Sequence, residues 1–266
     1  MILSEKTECR SPWLPLLQRL TRVSDDWAVW KNADLALDGD GDIDSVAPEG
    51  ARALIEQEFR RWAAERDLGP VAVCTHLGGG FEMIAVPERA TEFLELGVKY
   101  KRFFRGSTVY RATDFRPLME LDPRGFRRLR PGAEGLMKLV IQGFSWTGAP
   151  NGAALRDKRV IELIQSDLAG ARAAARLFGV ARPVVLAAAN SAIRGGWNRP
   201  ALLLLEARQL ARGLLAPRAV VRRARFRLVG KRECAIVRVL FEDHRRLPAD
   251  REAWLTEVRA NHVMYP

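Results

Sequence analysis

The densest chemical signal in the chain is GDGDIDSV, residues 39–46. Read as a strand, this segment projects Asp42 and Asp44 from one face, roughly 7 Å apart at Cα. Two carboxylates on one face repel each other unless water or a cation lies between them. Mg²⁺ takes hard oxygen ligands and keeps room for phosphate oxygens, so an Asp-x-Asp at a strand edge suits a Mg²⁺–NTP site. The metal would neutralise charge on a transferring nucleotidyl group. Two other readings compete. One is a solvated acidic turn. The other is a calcium loop, with Asp38, Asp40, Asp42 and Glu49 at the first, third, fifth and twelfth positions. That register puts Ile43 where the sharp turn needs glycine, and the register that puts Gly41 there has Ala36 and Ala47 at its ends.

Further along, Lys99, Lys101, Arg102 and Arg105 are interleaved with Tyr100, Phe103 and Phe104. Basic and aromatic residues together hold phosphate and stack a base; the plainer reading is a strand pair with its aromatics inward. Arg124, Arg127, Arg128 and Arg130 form a second cluster of the same kind. Gly78, Gly79 and Gly80 read as a hairpin turn, because the Lys-Ser/Thr and following helix of a phosphate loop are missing. Cys74 and His76 share a strand face and read as packing residues. No Ser/His/Asp set has a recognisable hydrolase order.

Residues 27–47, WAVWKNADLALDGDGDIDSVA, resemble the signature of the nucleotidyltransferase-fold superfamily. The resemblance is strongest to the bacterial branch in which a strand ends in Lys-Gly and a "DIDLLV"-type strand follows. It implies a nucleotidyltransferase-like mixed sheet with flanking helices, over about residues 25–145, followed by a helical domain. It implies that Asp42 and Asp44 hold catalytic metal, and that Lys31 lies near the nucleotide phosphates. Asn32 stands where the superfamily has glycine, and the Gly-Ser pair is missing. By strand order the third carboxylate falls to Glu95 in FLELGV, although Gly97 aligns with the family's aspartate; Glu82 in FEMIAV is the other candidate. The expected activity is Mg²⁺-dependent nucleotidyl transfer from an NTP to a small molecule, protein or RNA. Lys31, Asn32, Lys99, Lys101 and Arg105 would contact the nucleotide. A relative lacking the third carboxylate would instead be a non-catalytic scaffold that binds nucleic acid or an acidic partner through its basic C-terminal part.

The elements that position these residues follow from periodicity. Leu14, Leu17, Leu20 and Val23 recur every three residues and predict a helix over 12–24. WAVW and DIDSVA read as strands. Pro48 opens a helix whose stripe is Leu54, Ile55, Phe59 and Trp62. VAVCTHL, FEMIAV, TEFLELGV and STVYRAT read as four short strands, and residues 133–145 as a helix. TGAPNG, 147–152, breaks the composition, so residues 1–147 and 153–266 read as an α+β domain and a mainly helical, basic one. Helices are expected at 153–166, 168–178, 182–194, 199–215 and 250–263.

Composition sets the outer limits. The chain has 266 residues, is 48% hydrophobic and 28% charged, and so folds as a globule rather than a disordered chain. Its net charge of +11 is unevenly placed: 21 basic and 22 acidic residues in 1–150, against 22 and 10 in 151–266. Arg222, Arg223, Arg225 and Arg227 are the core of the strongest basic run and the expected contact for a polyanion. Three well-separated cysteines argue against a disulfide framework. No apolar run approaches the ~20 residues of a membrane span. These features lead to an expectation of a cytoplasmic protein with no membrane partner.

Overall fold

The computed structural model describes residues 11–39, 41–76, 79–87, 94–104, 107–145, 147–151, 159–215, 217, 221 and 235–240. The fold is α+β: a mixed open sheet with helices against it, then a helical C-terminal region. Helix α1 (Leu14–Val23) precedes β1 (Ala28–Lys31), the short α2 (Ala33–Leu37) and β2 (Ile43–Val46). A 3-10 turn then leads into α3 (Arg52–Glu65). Next come β3 (Leu68–His76), β4 (Gly80–Pro87) and β5 (Leu94–Lys99), followed by the separate ribbon β6 (Lys101–Phe104) and β7 (Ser107–Arg111). After a 3-10 segment, β8 (Met119–Leu121) and β9 (Arg127–Leu129) form a hairpin. The helical region comprises α4 (Pro131–Gln142), α5 (Arg159–Ser166), α6 (Leu168–Ala174), α7 (Arg182–Ile193) and α8 (Arg199–Leu214); β10 (Ala235–Leu240) pairs back onto β3.

The main sheet runs β10-β3-β4-β5-β2-β1-β9-β8. Two pairings are parallel, β2 with β5 and β1 with β9; the others are antiparallel. Residues alternate between faces, and each face has its own core. On one face α1 and α3 bring Leu16, Leu17, Leu20, Ile55, Phe59 and Trp62 onto Val29, Ile43, Met83, Leu96 and Val98. Trp13 stacks on Trp62 with ring centroids 5.1 Å apart. Each such fully buried side chain contributes on the order of 1.5–3 kcal/mol.

On the other face α4 packs over Ala28, Trp30 and Val46, and the same core continues through Phe178, Val185, Leu202 and Leu205. Helix α4 is buried along nearly its whole length, and its glycines explain how. A Cβ on Gly132 would collide with the Asp167 backbone, and one on Gly135 would meet Leu163 and Ile164 at 2.9 Å. Small residues here let α5 and α6 close onto α4. Arg130 clamps the same junction, its Nη2 donating to Asp167 Oδ1 at 2.7 Å.

The 147–151 segment is tied into this region. Ser145 N–H donates to Ala149 O, and Trp197 Nε1 donates to Gly148 O at 2.7 Å. Among the described residues, no helix is long and apolar enough to cross a membrane.

Candidate functional site

The β2 edge holds the acidic motif. Residues Val29 and Ser45 are paired, and so are Lys31 and Asp44, which leaves one extra residue in β1 between the pairs. This bulge sends Trp30 into the α4-side core while Lys31 lands opposite Asp44. Lys31 Nζ lies 2.5 Å from Asp44 Oδ2. Asp42 sits just before the strand, at the rim. Protein atoms crowding its carboxyl raise its pKa above the ordinary value; the neighbouring Asp44 charge adds to this and Lys31 opposes it. The raised direction is what a like-charge pair produces, even though solvent reaches the residue.

One rung crosses three strands at this level. Asp44 pairs with Gly97 on β5, and Gly97 pairs with Glu82 on β4. Gly97 is thus a floor between two carboxylates. A Cβ placed there would lie 3.5 Å from Asp44 Oδ1 and 3.7 Å from Glu82 Cγ, which is ordinary contact. Glu82 is held in turn by Lys99, whose Nζ is 2.6 Å from Oε1. The rung therefore reads lysine–carboxylate, glycine, carboxylate–lysine. Glu95 follows the same face two residues before Gly97, opposite Ile84. Lys101 opens β6 and lies with its stem against Gly79. Arg105, Arg222, Arg223, Arg225 and Arg227 lie outside the described residues.

Asn32 is in the left-handed region, φ 58° and ψ 21°, at the start of α2. Asparagine is one of the few non-glycine residues that adopt it readily, so Asn32 supplies the backbone geometry of a glycine. Its groups face α4: the backbone N–H donates to Glu134 Oε1 at 2.9 Å, and Oδ1 accepts from Lys138 Nζ at 2.7 Å. Comparison with families of known proteins, with curated proteins and with solved structures gives no match.

Behind this contact lies an ion network. Asp34 on α2 accepts from Arg128 and Arg159, and Arg124 Nη2 is 2.5 Å from it. Burial works to raise the Asp34 carboxyl, but Arg124 and Arg128 outweigh it and hold it below the ordinary range. Arg128 also reaches Asp122 and Glu134. Sequence reasoning passed over Glu134 and Lys138. Their signal was an acid and a lysine four residues apart inside the apolar run AEGLMKLVIQ.

The donor set can be weighed for metal. Asp42 and Asp44 offer hard oxygens, and Lys31 lies against Asp44. Among the described residues, no three His, Cys, Asp or Glu side chains form a group able to hold an ion. Mg²⁺ is often held by one or two carboxylates, with substrate phosphates completing its shell. Two carboxylates, one of them already paired with Lys31, make an open site rather than a preformed cage.

Proposed function

We propose that this protein is nucleotidyltransferase-like in build, binding a nucleoside triphosphate with Mg²⁺ at the β2 edge and transferring its nucleotidyl group to an acceptor hydroxyl, the bond between the α-phosphorus and the bridging oxygen breaking as pyrophosphate leaves. The observation that carries the reading is the Asp44–Gly97–Glu82 rung beside Asp42. Asp42 and Asp44 would hold the ion, which when bound supplies charge neutralisation on the phosphates. Lys31, drawn off Asp44, turns its ammonium to a phosphate oxygen, and Lys99 offers a second positive charge across the glycine floor. Glu82 Oε1, once Lys99 moves to phosphate, accepts the proton of an acceptor hydroxyl.

A second reading, binding without transfer, is favoured by two observations. Gly97 carries no third carboxylate, and Glu134 already occupies the Asn32 amide at the head of α2. The test is thermal unfolding with each NTP, with and without Mg²⁺, on wild type and Asp42→Asn/Asp44→Asn. Ligand at a hundredfold excess over Kd stabilises by about 2.7 kcal/mol. The proposal expects a Mg²⁺-dependent rise in Tm that the double variant loses; no rise with any nucleotide overturns it. Label transfer from an α-³²P-NTP to candidate acceptors then separates the two readings. Transfer lost in Glu82→Gln supports catalysis, and Mg²⁺–NTP binding without transfer to any acceptor supports the second reading.

A further inference from the structure

Lys31 is the last residue of β1, and the sheet holds it loosely. It lies beyond the bulge that separates the Val29–Ser45 and Lys31–Asp44 pairs, and β9 meets β1 two residues earlier, at Val29. A bulge disrupts the ladder locally and re-aims the side chains around it. The peptide unit after Lys31 is gripped from another element. Asn32 turns the chain at φ 58°; its backbone N–H donates to Glu134 Oε1 at 2.9 Å, and its Oδ1 accepts from Lys138 Nζ at 2.7 Å. A peptide unit is planar, and this one runs from the Lys31 Cα to the Asn32 Cα. Holding the Asn32 N–H therefore holds the backbone of Lys31.

Glu134 and Lys138 stand about one turn apart on α4, 2% and 8% exposed, in a helix whose other buried residues are apolar or glycine. Stability alone is a weak reason for them. Desolvation cancels most of the attraction between buried charges, and apolar residues of similar volume do as well or better. Fixing one arrangement among several is the best-attested use of such groups. The second oxygen of Glu134 meets Arg128 Nη2 at 3.4 Å, and Arg128 reaches Asp34 in the first turn of α2. The head of α2 and its first turn are thus both held, from α4 and from β9.

We propose that Glu134 and Lys138 are positioning residues for Lys31: acting through Asn32, they set where its ammonium stands, and so its reach to Asp44 and to a nucleotide phosphate. The phosphate half of this inference rests on the nucleotide reading above; the Asp44 half does not. Helix α4, the first of the helical region, thereby takes part in building the acidic edge of the sheet.

Two variants of the full chain test it. Glu134→Leu/Lys138→Met puts apolar groups of similar size in place of the pair, an exchange that buried ion pairs tolerate. Glu134→Gln keeps an oxygen for the Asn32 amide. The first readout is a pulse of acetic anhydride on the folded protein, each acetylated lysine being counted by peptide mass spectrometry. An ammonium held by a carboxylate reacts slowly. Lys31 labelling is expected to rise about fivefold in the double variant, the factor carried by one ion pair near the surface. Lys99, paired with Glu82 two strands away, should keep its wild-type level, and Glu134→Gln should match wild type at both lysines. Unchanged Lys31 labelling overturns the proposal. So does an equal rise at Lys31 and Lys99, which is a loosening of the whole sheet, and so does a Glu134→Gln protein that behaves like the double variant. The second readout is calorimetric affinity for Mg²⁺ with each NTP, expected to weaken about fivefold in the double variant and to return in Glu134→Gln. Unchanged affinity beside a released Lys31 overturns the phosphate half. A wild-type protein that binds no NTP overturns the nucleotide reading and the phosphate half with it, while Lys31 labelling still decides the Asp44 half.

Discussion

Asn32 separates two contributions that are usually entangled, backbone conformation and a buried side-chain bond. Its backbone N–H meets Glu134 whatever the side chain is, so Asn32→Gly and Asn32→Ala both spare that contact. Both remove the acceptor for Lys138 Nζ, which is buried and 2.7 Å away. A hydrogen bond to a charged group contributes about 1.5–3 kcal/mol. Only alanine must then also hold φ at 58°, which costs an L-residue about 1–2 kcal/mol. Glycine avoids that strain but loses more freedom on folding, by about 0.5–1 kcal/mol. The expected losses are about 3 kcal/mol for Asn32→Gly and about 4 kcal/mol for Asn32→Ala. Urea unfolding followed by tryptophan fluorescence reads both, since Trp27 and Trp30 lie close by in sequence and are buried. A Lys138→Met background should shrink the cost of either substitution, because the bond is already gone. An alanine variant as stable as the glycine one would refute the left-handed requirement at this position. Two variants within about 0.5 kcal/mol of wild type, the level of an ordinary surface change, would refute the Lys138 bond.

Three more outcomes follow from the packing and the charges. Gly132→Ala drives a methyl into the Asp167 backbone, so it should cost about 3 kcal/mol or more and lower Tm; a neutral result would mean α4 and α6 are not in contact there. Burial works to raise the Asp122 carboxyl, but hydrogen bonds from Arg124, the Arg124 charge and a hydrogen bond from Arg128 outweigh it and hold the pKa at about 2. A carboxyl depressed on folding contributes stability above its unfolded value, about 3.9, and loses it as pH falls through about 2. The contribution is about 2 kcal/mol, so the unfolding midpoint should drop between pH 5 and pH 2 less steeply in Asp122→Asn; parallel profiles would contradict this. Burial pushes the Cys74 thiol up to about 12. In a Cys9→Ser/Cys234→Ser background it should ignore dithionitrobenzoate at pH 8 until urea unfolds the chain, and prompt labelling of the native protein would show it accessible.

Much of the framework was written in local pattern. Leu14, Leu17 and Leu20 marked α1, Pro48 marked the approach to α3, and the short β-rich runs marked β3, β4 and β5. The hairpin was legible from the glycines between two β-rich runs, which pair as β3 and β4; Gly78 itself lies outside the described residues. What escaped was short or non-local. Each strand of the β8–β9 hairpin has three residues and carries charged side chains, too little for periodicity to register, yet β9 is the parallel neighbour of β1. At the start of β2, the acid pair was legible by type and spacing, and Lys31 was named only through the family resemblance. The bulge that aims Lys31 was not legible, since register is a property of two strands together. The same holds for Gly97, whose place between Asp44 and Glu82 depends on three strands aligning.

The contact between Asn32 and α4 has a kinetic consequence. Glu134 and Lys138 are 102 and 106 residues downstream of their partner, and β9 joins β1 across a similar separation. By contrast, the β3–β4 hairpin closes over a few residues. Closing the long loop costs entropy before its contacts give anything back. During synthesis the hairpin and α3 can therefore gather while the head of α2 still waits for α4 to emerge. A nascent chain ending before Glu134 has both aspartates of the acidic motif and its lysine, but lacks the helix that fixes the loop between them. The lysine–carboxylate pair thus becomes rigid only once α4 has emerged, later than the β3–β4 hairpin.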